Sequence, residues 1–318
     1  MMRAVVVCRL ARLSSSRAGA VLVYHRVGGR NGGDPSVEIL AAVSSGVFDR
    51  QLRHLRRHYR VVPAVELLEA VRSRRRGQPF PLAITFDDDL ACHVRDALPA
   101  LQRVGLHATF FLGGYSLQEP HPLWWEDLQR ALDDGLVQPD SLPHVSEADV
   151  RAALERRPQA IFHVAAAIEG LQPTERNEVV AALRAAVGPR VTDEGLRAAD
   201  VQSLAAAGFD VGFHTLRHYA LPTLSDTALE KALHEGREAL AALIGTRLNV
   251  ISYPHGKADG RVAHAARTAG FTHGFTTERS HVTPETDPLL IPRIPPAMSA
   301  GKTALRLARA VAPRRPES

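Results

Sequence analysis

Cysteine is nearly absent: Cys8 and Cys92 are the only two in 318 residues. That excludes a disulfide framework, and no paired-thiol spacing suggests a structural metal site, so both are read as reduced thiols. No apolar run reaches the ~20 residues that a membrane-spanning helix needs. The chain begins like a secretory signal, but Arg9 and Arg12 break its short apolar run. The expected location is therefore the cytoplasm. Aromatic residues make up only 5%, and lysine is scarce, so the net charge of +5 is carried almost wholly by arginine. Zinc fingers, RNA-binding signatures and dense basic helices are missing too, which argues against a nucleic-acid partner. No internal repeat stands out. What remains is 45% apolar and 23% charged, the balance of a soluble globular protein.

Within that composition, short β-rich runs alternate with helical spacing. Val21–Val27 reads as a first strand, followed by a Gly-rich loop through Asn31–Pro35. Phe48, Leu52 and Leu55 mark a helix, Val61–Val62 a short strand, and Val65, Leu68 and Val71 a second helix. That helix ends in Arg74–Arg76, read as a solvated terminus. Leu82–Asp89 is a strand, Val94, Leu98 and Leu101 a helix stopped by Gly105, and Ala108–Leu112 the next strand. Residues 119–195 change texture and read as a helical insertion on the rim of the main domain, with Ala160–Val164 ambiguous between helix and strand. Alternation then resumes. Leu196–Ala207 is a helix, Phe209–Phe213 a strand, and Ser225–Ile244 one long helix capped by Ser225. Val250–Tyr253 and Phe271–Thr277 read as strands around a helix at Val262–Ala269. The order predicts a parallel α/β sheet or barrel, divided into a basic arm (1–19), two barrel segments (20–118 and 196–300), the insertion (119–195) and a basic tail (301–318). The tail is expected to be a frayed helix.

The chemistry gathers at strand ends. Leu82–Asp89 closes on three consecutive carboxylates, Asp87, Asp88 and Asp89, whose mutual repulsion a bound cation or a raised pKa must relieve. Far downstream, His214 and His218 follow another strand at a spacing of i and i+4, which places them on one face of a helical turn. With Asp87 or Asp88 they form a two-His, one-carboxylate set that leaves positions open for water and substrate. The remaining acid is then free to act as general base. Tyr253–Pro254–His255–Gly256 is a tight turn at a third strand end, able to aim a backbone N–H at the same place.

Thr85-Phe86-Asp87-Asp88, His214-Thr215-Leu216-Arg217-His218 and Tyr253-Pro254-His255-Gly256, in this order, resemble the polysaccharide deacetylase family (NodB homology, carbohydrate esterase family 4). The resemblance covers roughly residues 20–295, the insertion excepted. It implies a distorted (β/α)7 barrel and one divalent metal, most often Zn2+. It also implies hydrolysis of N-acetyl groups on an amino-sugar polysaccharide or glycoconjugate. Carried over by residue, Asp87 is the general base, and Asp88, His214 and His218 are the metal ligands. Tyr253, Pro254 and His255 lie on the substrate and oxyanion side, with the His255 N–H as oxyanion donor, and Thr215 supports the site. The chain departs from the family at three places. Asp89 stands where the motif has Gly, and Ser252 where an Arg braces the base. The Asp that holds that Arg is not recognisable. Arg293 is the candidate substitute charge. The opening Leu22–Val27 resembles the first strand of the permuted branch that deacetylates poly-N-acetylglucosamine, which makes His25 the candidate general acid.

Two other readings stay open at this stage. The missing Arg and Asp suit a carbohydrate-binding pseudoenzyme, and the same fold can serve an amidase of a small non-sugar amide. Trp124 and Trp125 offer faces for stacking on a sugar, or anchors for a core.

Overall fold

The computed structural model describes residues 12–28, 36–40, 42–114, 117, 123–188, 195–278 and 280–311. Cys8, the signal-like start before Arg12 and the Gly-rich loop at 31–35 lie outside them. The chain divides into two compact units. One comprises Met1–Arg30, Ala42–Leu117 and Leu196–Ser318, the other Asn31–Ala41 and Gln118–Gly195.

The first unit is built on seven parallel strands. β1 (Ala20–Tyr24), β3 (Pro81–Asp87), β4 (Thr109–Leu112), β5 (Asp210–Phe213), β6 (Val250–Ser252) and β7 (His273–Phe275) follow one another in that order, and β2 (Arg60–Val61) pairs with the start of β3. β1 and β3 are buried along their whole length, as expected of strands covered on both faces in a parallel sheet. Closure comes from an extended segment that joins the two edge strands. The Ile291 N–H donates to the Gly274 carbonyl and the Ile294 N–H to the Val21 carbonyl, both at 2.8 Å. The sheet thereby curls into a (β/α) barrel, and residue 293 sits in the seam.

Helices cover this sheet: α1 (Ser45–His58), α2 (Leu67–Ser73), α3 (Leu98–Val104), α8 (Ala198–Ala206), α9 (Asp226–His234), α10 (Arg237–Ile244), α11 (Gly260–Thr268) and α12 (Ala300–Val311). α1 buries Phe48, Leu52 and Leu55 and closes on Arg56, Arg57 and His58, a placement the helix dipole favours. Ser225 caps α9 through Oγ, which accepts from the Ala228 N–H at 3.3 Å.

Several sequence expectations need correction here. The long helix of 225–244 is two helices, broken at Gly236, whose φ of +81° no L side chain adopts easily. A Cβ there would also lie 3.2 Å from the Leu216 side chain. Ala160–Val164 is helical, within α6 (Ala160–Gly170). Arg74 is not a solvated helix end. It is buried, stacks 3.7 Å from the Phe80 ring centroid and donates to the carbonyls of Arg12, Ser14, Ser16 and Gln78. The C-terminal helix is not frayed: α12 buries Leu307 and Val311 and packs on α1 and β1. Gln51 of α1 donates to the Ala297 carbonyl and to Thr303 Oγ1 of α12.

The second unit contains α4 (Trp124–Asp133), α5 (Glu147–Leu154), α6 and α7 (Pro173–Val187). α4 packs on α7 and α5 on α6, around Leu128, Val150, Val164, Ile168, Val179 and Leu183. Trp124 and Trp125 are buried, so they anchor this core and offer no face to a sugar. Residues 36–39 join the unit through their backbone N–H and carbonyl groups. The Ile39 N–H donates to Gln129 Oε1 at 3.0 Å, and Gln159 N–H to the Ser36 carbonyl at 2.7 Å. Among the described residues no helix is long and apolar enough to cross a membrane.

Candidate active site

Parallel register decides which residues meet at the C-terminal rim of the sheet, where folds of this kind collect functional groups. Tyr24 pairs with Phe86 and Asp87 with Phe111. His25 therefore follows β1 beside Asp87. β5 pairs with β6 through Phe213 and Ile251, which brings His214 beside Ser252.

Asp88, His214 and His218 offer three ligand atoms within 4.8 Å of one another, and all three residues are buried. Asp88 Oδ1 lies 3.5 Å from His214 Nε2 and 3.6 Å from His218 Nε2, and it has no hydrogen-bond partner among the described residues. His214 Nδ1 donates to the Ser252 carbonyl at 2.8 Å. That bond fixes the tautomer and turns the Nε2 lone pair inward, the usual second contact of a metal-binding histidine. A buried carboxylate oxygen without a donor, facing two imidazole nitrogens, suits a divalent cation. The two histidines do not converge on a helical turn as the spacing predicted. Thr215 and His218 have φ of +56° and +50°, and the intervening segment is a tight turn outside any helix. Asp88 and His255 also have positive φ, so four of the seven described non-glycine residues in this conformation belong to the site. Such backbone costs of order 1–3 kcal/mol each and tends to persist where function demands it.

Asp87 stands beside this cluster in a different network. Arg293 donates to both of its carboxylate oxygens, Nη1 to Oδ1 and Nη2 to Oδ2, each at 2.7 Å. Ser252 Oγ donates to Asp87 Oδ2 at 2.9 Å and accepts from Arg293 Nη2 at 2.7 Å. Arg293 also donates from Nε to the Thr276 carbonyl and from Nη1 to Thr85 Oγ1, and it is fully buried. Burial alone would raise the Asp87 pKa. The charges of Arg293 and His214, the direct bonds from Arg293 and the nearness of His25 outweigh it and hold the carboxyl far below its usual range. Asp88 is lowered as well, where His214 and His25 overcome burial. His214 is raised, burial being outweighed by Asp87 and Asp88.

The remaining sequence candidates fall on different sides of this site. Asp89 is buried and turns Oδ2 to the Gly113 N–H at 2.7 Å, outside the Asp88–His214–His218 group. Thr215 is buried within the His214–His218 turn, and its Oγ1 has no hydrogen-bond partner among the described residues. Pro254 and Gly256 are buried, and the His255 ring packs 4.5 Å from the His218 ring. Tyr253 is fully buried and donates its hydroxyl to the Leu289 carbonyl at 2.9 Å, so it braces the turn. His25 is partly exposed at the rim, and its carbonyl lies 3.1 Å from His93 Nε2.

Sequence reasoning missed two residues. Ser252 was noted only as the place of a lost arginine, and nothing local shows that its hydroxyl bridges Asp87 and Arg293. His93 was passed over although it lies within six residues of Asp87; a histidine so near an acidic rim was the available signal.

A family profile described as polysaccharide deacetylase matches residues 74–165 and 174–274, more than half of the chain. No curated protein sequence matches significantly. Solved structures with a similar fold include the Streptococcus pyogenes deacetylase PplD in complex with acetate (14% identity, TM-score 0.60, covering 93% of this chain and 99% of that one). IcaB from Ammonifex degensii is similar at 16% identity and TM-score 0.54, covering 93% and 97%. The BpsB deacetylase domain from Bordetella bronchiseptica follows at 13% identity and TM-score 0.53, covering 88% and 96%. With the profile spanning its central strands and the barrel shared, this chain belongs to the polysaccharide deacetylase family.

Proposed function

We propose that the protein is a metal-dependent hydrolase that removes acetyl groups from the nitrogen of an N-acetylated amino-sugar polysaccharide or glycoconjugate. One observation carries the reading: Asp87, kept ionised by Arg293, stands beside a buried Asp88–His214–His218 cluster whose ligand atoms face one another. Family membership and the fold shared with IcaB and BpsB support the substrate class.

Asp88 Oδ1, His214 Nε2 and His218 Nε2 would hold the cation, with zinc as the metal that best suits two imidazoles and one carboxylate at an open site. When bound there, a divalent cation supplies Lewis acidity, polarising the acetyl carbonyl and lowering the pKa of water towards neutrality. Asp87 takes a proton from the attacking water. Its depressed pKa keeps the carboxylate ready at any working pH, at the expense of basicity. Water oxygen joins the acetyl carbon, and the His255 N–H is the proposed donor to the developing oxyanion. His25 then protonates the sugar nitrogen as the C–N bond breaks, giving acetate and a free amine. Asp89 ties the Asp88 turn to the Gly113 N–H, and Thr215 is a buried part of the His214–His218 turn. Arg293, entering from the closing seam, supplies the brace whose loss from position 252 suggested a binder without turnover.

The test is acetate release by zinc-loaded protein from N-acetylglucosamine, its oligosaccharides and sugar-nucleotide conjugates. Asp87→Asn is expected to lower it by about 10²–10⁴-fold, the usual contribution of a general base. No release from any substrate, with zinc still bound at one per chain, would instead support a binding protein or an amidase of another substrate.

A further inference from the structure

Resting on that reading, we propose that His93 is a positioning residue for His25, acting through the clasp that the helical turn after the acidic strand makes on the end of β1. The turn is unusual. Residues His93–Ala97 form a π-helical stretch in which the Leu98 N–H reaches back to the His93 carbonyl. Such wide turns are rare and concentrate at functional sites.

Three of its neighbouring side chains converge on the segment that carries His25. His93 Nε2 lies 3.1 Å from the His25 carbonyl. A carbonyl oxygen can only accept, so Nε2 carries the proton and Nδ1 is a bare lone pair, buried with no partner among the described residues. The Cys92 thiol interacts with the Val27 backbone. The Asp96 carboxylate lies so close to Gly28 that a Cβ there would meet it at 2.6 Å, at a φ of +77°. Pairing of β1 with β3 stops at Tyr24 and Phe86, Arg26 and Gly28 bond to the Val43 backbone, and His93 takes the His25 carbonyl between these two anchors.

His93 is itself held rigidly. It is fully buried, with its ring centroid 5.3 Å from that of Phe86 and 5.5 Å from that of Phe110. Burial also lowers its pKa to about 4, which keeps it a neutral donor. An uncharged imidazole with one N–H spent on the His25 carbonyl fixes where that residue's backbone lies. It thereby fixes the arc open to the side chain that delivers a proton to the leaving nitrogen.

A general acid matters only when the leaving group needs a proton. His93→Phe keeps the aromatic packing and removes the donor, whereas His93→Gln can keep an N–H near Nε2. Each variant is compared with wild type on two probes, an N-acetylglucosamine oligosaccharide and an aryl acetate, whose phenolate departs unprotonated. For His93→Phe we expect kcat on the sugar amide to fall about tenfold or more with KM little changed, while aryl acetate hydrolysis stays near wild type. His93→Gln should recover most of the amide rate. Equal losses on both probes, an undiminished amide rate, or a Gln variant no better than Phe would overturn the proposal. If the Phe variant does not fold, His93→Asn, too short to reach the carbonyl, replaces it with the same expectations.

A wild type that cleaves neither probe defeats the deacetylase reading itself. The positioning claim is then decided by ¹⁵N-histidine spectra. They should show His93 as the Nε2–H tautomer in wild type, and a His25 signal that broadens or splits in His93→Phe while those of His214 and His218 stay put. An unchanged His25 signal refutes the clasp.

Discussion

One strand, β3, has a buried arginine at each end, and the contacts that hold the two differ in kind. At its C-terminal end Arg293 meets a formal charge, both oxygens of Asp87, with Ser252 bridging the pair. Before its N-terminal end Arg74 donates to the carbonyls of four residues and stacks on the face of Phe80. Carbonyl dipoles and a ring anchor a guanidinium to the backbone segments around it. An ion pair makes the partner's charge permanent as well, and at the rim that partner is the proposed base. A buried ion pair is weak evidence for stability but costly to break, so its presence where a proton must be accepted points to function. The carbonyl nest around Arg74 points to architecture.

The largest expected effect breaks the ionic end. Arg293→Met leaves Asp87 buried with its charge uncompensated, a situation that typically costs about 3–5 kcal/mol. Urea unfolding should show that loss, and acetate release should collapse with it. Adding Asp87→Asn to Arg293→Met should restore most of the stability, since neither charge remains, but none of the activity. Recovery of activity in the double variant would mean that another group is the base.

The same substitution at the other end should behave differently. Arg74→Met removes donors from four carbonyls, so a loss of about 1–3 kcal/mol is expected. Residues 12–16, gripped by Arg74, should become more sensitive to limited proteolysis, while acetate release per folded molecule stays at the wild-type value. A fall in turnover at constant folded fraction would erase the distinction between the two ends.

Much of the site was legible because strand ends punctuate the sequence. Apolar runs ending in Asp87–Asp88, in His214 and in Tyr253 name the rim before any coordinates exist, and parallel register does the rest. Arg293 was named only as a substitute charge, because its part depends on closure. Residue 293 reaches Asp87 only when Ile291 and Ile294 bond to β7 and β1, and no local pattern encodes that long-range seam. The histidine pair shows the converse. The i, i+4 spacing named both candidate ligands while misjudging the backbone, since positive φ at Thr215 and His218 is set by the turn around them. Arg74 was misread for a related reason: a run of arginines looks solvated until the carbonyls of residues 12–16 fold over one of them.

The smallest expected effect lies inside the ionic end, at the Ser252 hydroxyl. Ser252 does two separate things. Its carbonyl accepts from His214 Nδ1, and its Oγ links Asp87 to Arg293. Ser252→Ala deletes the second and keeps the first. Losing one donor to the carboxylate should let the Asp87 pKa rise somewhat, yet the two Arg293 bonds remain and the group stays ionised at neutral pH. The stability change should therefore be about 0.5–1.5 kcal/mol, the worth of an ordinary hydrogen bond. Acetate release should shift by no more than about tenfold, the kinetic equivalent of 1.4 kcal/mol. Zinc affinity, set by a histidine whose carbonyl partner is untouched, should not move. Titration of the variant with zinc separates the two roles: weakened binding at unchanged fold would show that the hydroxyl, and not only the carbonyl, organises the ligands.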